Sequence, residues 1–299
     1  MDDIDQLLDR VAVLRGRTAV SDLPGGLTNR NLLVETPSAR YVVRLSSPSG
    51  GLLAIDRECE FRNTALAAET VGAPVIEYLP GEGVLVIGFI EGTTLTEHDL
   101  LDESLLPRVA VACRRLHSGP RFVNDFDMFD IQGRYLNVVL ERGFRLPPRY
   151  REFEPKVARI RAALAARPVP TVPCNNDLLA GNFIDTGSEV RLIDYEYSGN
   201  NDPYFELGNA WSESTLPLGH LELLVSAYDG HPSPEHLARA RLLALMSKYG
   251  WTLWAAIQTS VSDIDFDFWS WGMQKYDRAV EEFDGPDFER LLDVAAGGG

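Results

Sequence analysis

The chain has 299 residues, with 28 basic against 44 acidic side chains and a formal net charge of −16 at pH 7. Such a surface repels phosphate backbones and anionic lipid, which argues against nucleic acid or membrane insertion and favours a cationic partner. With 45% hydrophobic and 24% charged residues, the composition is that of a folded chain with a sizeable core.

The N-terminus, Met1-Asp2-Asp3-Ile4-Asp5, is acidic where an export signal is basic, and it lacks an apolar stretch. Three scattered cysteines, Cys59, Cys113 and Cys174, make neither a disulfide framework nor a zinc motif and read as small buried hydrophobes. A cytoplasmic protein is expected. Ile4, Leu7, Leu8, Val11 and Leu14 give helical spacing over 4–15. A glycine turn, Gly25-Gly26, then leads through Leu27-Thr28-Asn29-Arg30-Asn31 into a hairpin with strands at 32–35 and 41–45. A helix over 55–71 carries Arg57, Glu58, Glu60 and Arg62 and stops at Gly72 and Pro74. Strands follow at 75–78 and 83–90, with Gly81-Glu82-Gly83 as the turn.

From Leu100 the pattern turns helical: 105–117, 130–142, 154–166, 221–228, 234–260 with room for a break, and 268–283. Residues 171–209 read as a non-helical block rich in Asn, Asp and Gly. The uncharged stretch 249–262 is too short and too polar to span a bilayer. The expected fold class is α+β, with a β-rich N-terminal lobe at 1–91 and a larger helical C-terminal lobe at 92–299.

Chemistry concentrates in that non-helical block. Asp177 and Asn182 lie five apart across a Gly181 turn, so both side chains can face one point, and the apolar run Leu192-Ile193 delivers Asp194 at a strand end. Two carboxylates and an amide oxygen form a hard, oxygen-rich site suited to Mg²⁺ with nucleotide phosphates. Asp177 is then free to accept a proton, a recurring part of phosphoryl transfer. Asn- and Asp-rich segments are commonly turns and caps. What sets this one apart is the order of its companions: a glycine turn at 25–26, a strand-borne Arg44, then Asp177, Asn182 and Asp194, as a kinase needs. Only three lysines exist, none before Lys156, so a P-loop is excluded from the first half and a cation holding phosphates there must be arginine. No Gly-x-Ser-x-Gly supports a serine hydrolase. The histidines show no metal spacing, and His117 reads as a helix-end residue bonding a last-turn carbonyl.

Together these segments resemble the choline/ethanolamine kinase branch of the aminoglycoside-phosphotransferase superfamily, which is similar in fold to protein kinases. Gly25-Gly26-Leu27-Thr28-Asn29-Arg30-Asn31 resembles its nucleotide lid, Tyr41-Val42-Val43-Arg44-Leu45 its third strand, and Phe89-Ile90-Glu91-Gly92 its hinge. Asp177-Leu178-Leu179-Ala180-Gly181-Asn182 resembles the catalytic loop and Ile193-Asp194-Tyr195-Glu196-Tyr197 the metal segment. The resemblance implies ATP and Mg²⁺ as cofactors, Asp177 as base, and Asn182 and Asp194 on the metal. It also implies Arg44 with Glu60 at the phosphates, Gly25, Gly26, Thr28 and Asn29 in the lid, and the backbone of Gly88, Phe89 and Ile90 at adenine. One departure stands out: Asn175 replaces the His that the family usually places two residues before the base.

For the acceptor, four of the five tryptophans fall within 251–271. Aromatic faces beside carboxylates attract ammonium groups by about 0.5–2 kcal/mol per contact. Aromatics at helical spacing also fill cores, but residues 176–299 hold 21 acidic against 7 basic groups, whereas residues 1–175 hold 23 and 21. The resemblance places Trp251, Trp254, Tyr197 and Glu213 around the acceptor. The expected activity is phosphorylation of the hydroxyl of a small cationic alcohol, choline or ethanolamine preferred. An aminoglycoside or other small-molecule kinase and an inactive kinase-like nucleotide-binding module are the alternatives, the last disfavoured by retention of Asp177, Asn182 and Asp194.

Overall fold

The computed structural model describes residues 2–24, 26–46 and 51–298. Gly25, one of the two expected lid glycines, lies outside the described residues. Alternation of buried and half-buried residues builds the first sheet, in which Leu32 and Val34 of β2 (Arg30–Glu35) and Val43 of β3 (Arg40–Leu45) face one side. The sheet is antiparallel throughout, in the order β1 (Ala19–Leu23), β2, β3, β5 (Val84–Gly88), β4 (Val75–Leu79). Its inner face packs on Leu8, Val11 and Leu14. The N-terminal helix α1 (Asp2–Arg10) is shorter than its apolar spacing suggests, because Val11 is extended and a separate 3-10 turn, Ala12–Leu14, carries the last apolar residue.

Helix α2 (Arg57–Ala67) starts at Asp56, whose side chain accepts hydrogen bonds from the Glu58 and Cys59 N–H groups. It stacks Phe61 on Tyr78 of β4, with ring centroids 4.5 Å apart. Cys59 is half-buried there, unlike the fully buried Cys113 and Cys174. A short strand, β6 (Thr93–Thr94), leaves the first sheet and pairs with β8 (Phe183–Asp185), which in turn pairs with β9 (Val190–Leu192).

The helical region holds α3 (Leu106–His117), α4 (Met128–Arg142), α5 (Glu154–Ala166), α6 (Pro203–Glu213) and α7 (Leu218–Asp229). It is completed by α8 (Pro234–Val261), α9 (Phe268–Phe283) and α10 (Phe288–Ala296), while β7 (Val172–Cys174) pairs with β10 (Gly199–Asn201). Helix α8 is its axis and runs unbroken for 28 residues. Gly250 does not interrupt it but admits α4: a Cβ there would sit 2.2 Å from the Met128 sulfur. No helix is long and apolar enough to cross a membrane among the described residues.

Three further elements depart from the sequence expectation. The block 171–209 is not wholly irregular, because α6 begins at Pro203 behind the Asp202 cap. All but one of its residues are buried, so no amphipathic period marks it. Strand β1, Ala-Val-Ser-Asp-Leu, is an exposed edge whose burial shows no alternation. Helix α10 was not expected from the sequence at all, although it buries Phe288, Leu291, Leu292 and Ala295 along one face.

Asn63, on α2, joins the two regions. Its amide nitrogen donates to Asn124 Oδ1 at 2.7 Å and Ser198 Oγ at 3.1 Å, and its oxygen accepts from the Val123 N–H at 3.0 Å. It is wholly buried. Asn63→Ala leaves these groups unpaired and should cost about 1–3 kcal/mol of stability, read as a lower denaturation midpoint in urea; an unshifted midpoint would show that the tie is dispensable.

Candidate active site

The polar cleft between sheet and helices is organised by one arginine. Arg44, next to last on β3, donates from a single nitrogen to Glu60 of α2 at 2.7 Å and to Asp194 at 2.6 Å. Burial works against its charge, yet Asp194, Glu60 and Glu196 together hold its pKa above the ordinary arginine value. A second arginine, Arg57, reaches Glu60 at 2.6 Å, Glu196 at 3.2 Å and the Asn29 side-chain oxygen at 2.9 Å. Asn29 donates in turn to Glu196 at 2.8 Å. The glycine turn is thereby tied to the Asp194 segment, and Gln258 of α8 fixes it again by donating to the Leu27 carbonyl at 3.2 Å. Gly26 needs its missing side chain, since a Cβ would stand 2.5 Å from the Asn29 carbonyl oxygen.

The loop after β7 is held from below by Glu206 of α6. This fully buried carboxylate accepts from the Asn175 N–H at 2.9 Å and the Asn176 N–H at 2.8 Å. Asn175 does the bracing that the absent imidazole left open. Its amide nitrogen donates to the carbonyls of Ile193 at 3.0 Å and Asp194 at 2.7 Å, while its oxygen accepts from the Asp177 N–H at 3.1 Å. One side chain thus fixes Asp177 relative to Asp194. Asn176 and Asp194 both hold positive φ, at 69° and 65°, a conformation that surrounding contacts must impose on non-glycine residues.

Asn182 donates from its side chain to the Asp177 carbonyl at 2.6 Å, which leaves its own amide oxygen available. Burial, then the negative charges of Glu213, Asp194 and Glu196, push the Asp177 carboxyl well above the usual range. Burial and Asp194 push Glu196 up to about 7.

His117 does not bond a last-turn carbonyl. It ends α3, but its Nδ1 pairs with the Tyr228 hydroxyl at 2.8 Å and its Nε2 faces Cys174 at 3.6 Å, because the ring turns inward beneath the loop. At the hinge, the Gly88 and Phe89 N–H groups are already given to the carbonyls of Pro74 (2.8 Å) and Arg40 (3.1 Å), so neither is free for a base; Ile90 remains. A small cleft beside Arg44 and Asp194 is walled by Ala73, Leu85, Ile87 and Ile193.

Asp177, Asn182 and Asp194 share a cavity of about 70 Å³ with Gly26, Thr28, Asn29, Tyr197, Glu213, Trp251 and Trp254. Trp254 donates to the Tyr197 hydroxyl at 2.7 Å, and the Tyr197 and Trp251 rings meet edge to face at 4.8 Å. Trp271 completes the wall, 5.6 Å from Trp254. Glu213 does not stand free, since Lys275 of α9 forms a buried ion pair with it. Sequence reasoning passed over Arg57, Glu196, Glu206, Trp271 and Lys275. Glu196 lies two residues past Asp194 and Lys275 one helical turn past Trp271, signals present in the sequence; Glu206 has none, because its role exists only once α6 packs under the loop.

Sheet, ion-paired helix and loop carboxylates define a phosphotransferase of protein-kinase-like fold. The model of the phosphotransferase enzyme family matches residues 19–243, and the chain belongs to that family. It is similar to a choline/ethanolamine kinase family protein from Mesorhizobium loti, 29% identical, with a TM-score of 0.85 and 99% of this chain and 98% of that one covered. It is 24% identical to protein LicA of Haemophilus influenzae, covering 86% of this chain and 78% of the relative. Ethanolamine kinase 2 of Rattus norvegicus is 27% identical over 76% of this chain, which spans 66% of that protein.

Glu206→Gln replaces one of two buried acceptor oxygens with a donor facing an N–H. It should cost about 1–3 kcal/mol of stability and lower turnover although Glu206 touches no reactant. Thermal unfolding and kcat measured together test this; a normal kcat would separate Glu206 from loop placement.

Proposed function

We propose that the chain transfers the γ-phosphoryl group of ATP to the hydroxyl of a small cationic alcohol, with choline or ethanolamine preferred. The observation that carries this reading is the single cavity in which the carboxylates and amide of the loop meet an aromatic, acid-bearing wall. Choline/ethanolamine and ethanolamine kinases among the similar proteins support the acceptor class. The start of β6 after residue 92, paired with a strand of the helical region, supports a lobe boundary between 91 and 92.

The donor set fits magnesium: the free amide oxygen of Asn182 and the second carboxylate oxygen of Asp194, with water completing a hard oxygen shell. When bound there, the ion neutralises phosphate charge. Asp177 accepts the hydroxyl proton, and its raised affinity for a proton suits a base that must let the alkoxide form only as the bond to phosphorus develops. Arg44, held by Glu60, presents positive charge to the phosphates, and the Gly26 to Asn29 turn covers them with backbone N–H groups. The walls Ala73, Leu85, Ile87 and Ile193 form an apolar slot for adenine, with Ile90 at the hinge. Tyr197, Trp251 and Trp254 offer ring faces to the acceptor's ammonium.

An ADP-release screen over choline, ethanolamine and aminoglycosides, with Asp177→Asn as blank, decides the acceptor. Release with an amino alcohol is expected; release with aminoglycosides alone, or with no acceptor at all, overturns the reading. Asp177→Ala should lower kcat by at least about 10²-fold with ATP affinity nearly unchanged. Trp254→Ala should raise the acceptor KM about tenfold, the order of one desolvated cation–π contact, and leave the ATP KM within twofold; equal loss for both would make Trp254 a core residue.

A further inference from the structure

Four carboxylates line the cavity, Asp177, Asp194, Glu196 and Glu213. Three are paired with cations of this chain: Asp194 with Arg44, Glu196 with Arg57, and Glu213 with Lys275. Among the described residues Asp177 has no ion pair. The Lys275 pair differs from the other two in its surroundings. Its ammonium lies 4.0 Å from the centroid of Trp271, a ring that itself lines the cavity. Both side chains are almost wholly buried, 3% exposed for Lys275 and 2% for Glu213.

An ammonium held between a carboxylate and an indole is the environment that a cationic acceptor would seek. Here a lysine one turn along α9 from Trp271 already fills it. A buried ion pair can serve only to tie two helices, in this case α6 to α9. Among the described residues Glu213 Oε1 is buried without a hydrogen-bond partner, and so is the Trp251 ring nitrogen in the same cavity wall.

We propose that Lys275 is a resident counter-ion that sets the charge selectivity of the acceptor cavity. By neutralising Glu213 it weakens the pull on an incoming ammonium, so that discrimination between charged and neutral alcohols falls to the faces of Tyr197, Trp251 and Trp254 and to Asp177, which lines the same cavity. The inference rests on the cationic-alcohol reading above. Removing the lysine exposes an acceptor cation to an uncompensated carboxylate in a poorly solvated cavity, where attraction is strong. Removing the carboxylate instead leaves a lone ammonium that repels the acceptor.

The test is titration calorimetry on the full chain with choline, ethanolamine and the uncharged choline isostere 3,3-dimethylbutan-1-ol. It compares wild type with Lys275→Met, Lys275→Arg, Glu213→Gln and the double variant Glu213→Gln/Lys275→Met. The readout is the ratio of neutral to charged dissociation constants, which a purely structural role would not move. Lys275→Met should raise this ratio at least tenfold, Lys275→Arg should keep it, Glu213→Gln should lower it, and the double variant should return it toward wild type. An unchanged ratio in folded Lys275→Met, or equal weakening of charged and neutral ligands, overturns the proposal. Should that variant not fold, the Glu213→Gln and double variants decide by the same ratio, and no difference between them overturns it. Wild type that binds neither amine sinks the cationic-alcohol reading and this inference together; wild type that binds them with a flat ratio across all variants sinks only the role of Lys275.

Discussion

The structure depends on one guanidinium. Arg44 leaves the middle strand of the sheet and ends between Glu60 of a helix and Asp194 of the loop region, so that strand, helix and loop share one nitrogen. Ion pairs in such a place are poor sources of net stability, because desolvation offsets much of their attraction. Their value is positional. With Arg57 bridging the same Glu60 to Glu196 and Asn29, the network fixes the distance between the glycine turn and the carboxylates below it. In the proposed reaction a phosphoryl group aligned there would meet charge that needs little rearrangement, the kind of preorganisation on which phosphoryl transfer relies.

Below that network the loop is held by amides and one buried acid. Asn175 performs with a short amide what a ring would do elsewhere, and it can do so because Asp194 bends into a positive φ that turns its carbonyl toward Asn175 Nδ2. Glu206 anchors the same loop from α6. Sheet-side and α6-side supports thus come from different layers of the fold and meet at Asp177 and Asp194.

Much of this was legible in the sequence, and what was not follows a pattern. Helices with one apolar face, such as α5 and α9, fall where their spacing puts them, and the segments carrying Arg44, Asp177 and Asp194 come together in one cleft. Helix α6 was hidden because it is buried all round, so that periodicity carries no signal even though Asp202-Pro203 marks its start. Strand β1 was hidden for the opposite reason, being exposed along nearly its whole length with no alternating buried face. His117 was placed at its helix end, but its partner, Tyr228, lies 111 residues away. The same holds for Lys275 and Glu213, 62 residues apart, whose pairing is a product of helix packing.

That pairing changes what the chain's acidity does. Within the cavity three of the four acids are paired with cations, Glu213 one to one with Lys275 and Asp194 and Glu196 with two arginines that Glu60 also shares, so the interior is less negative than the excess of 21 acidic over 7 basic groups in residues 176–299 implies. Most of the imbalance therefore stands outside, where it acts over distance rather than in contact. Fields of that kind govern encounter: they gather cations toward the mouth and fade beyond about 8 Å at physiological ionic strength. Salt should thus slow the arrival of a cationic acceptor while scarcely altering how firmly it is held once inside.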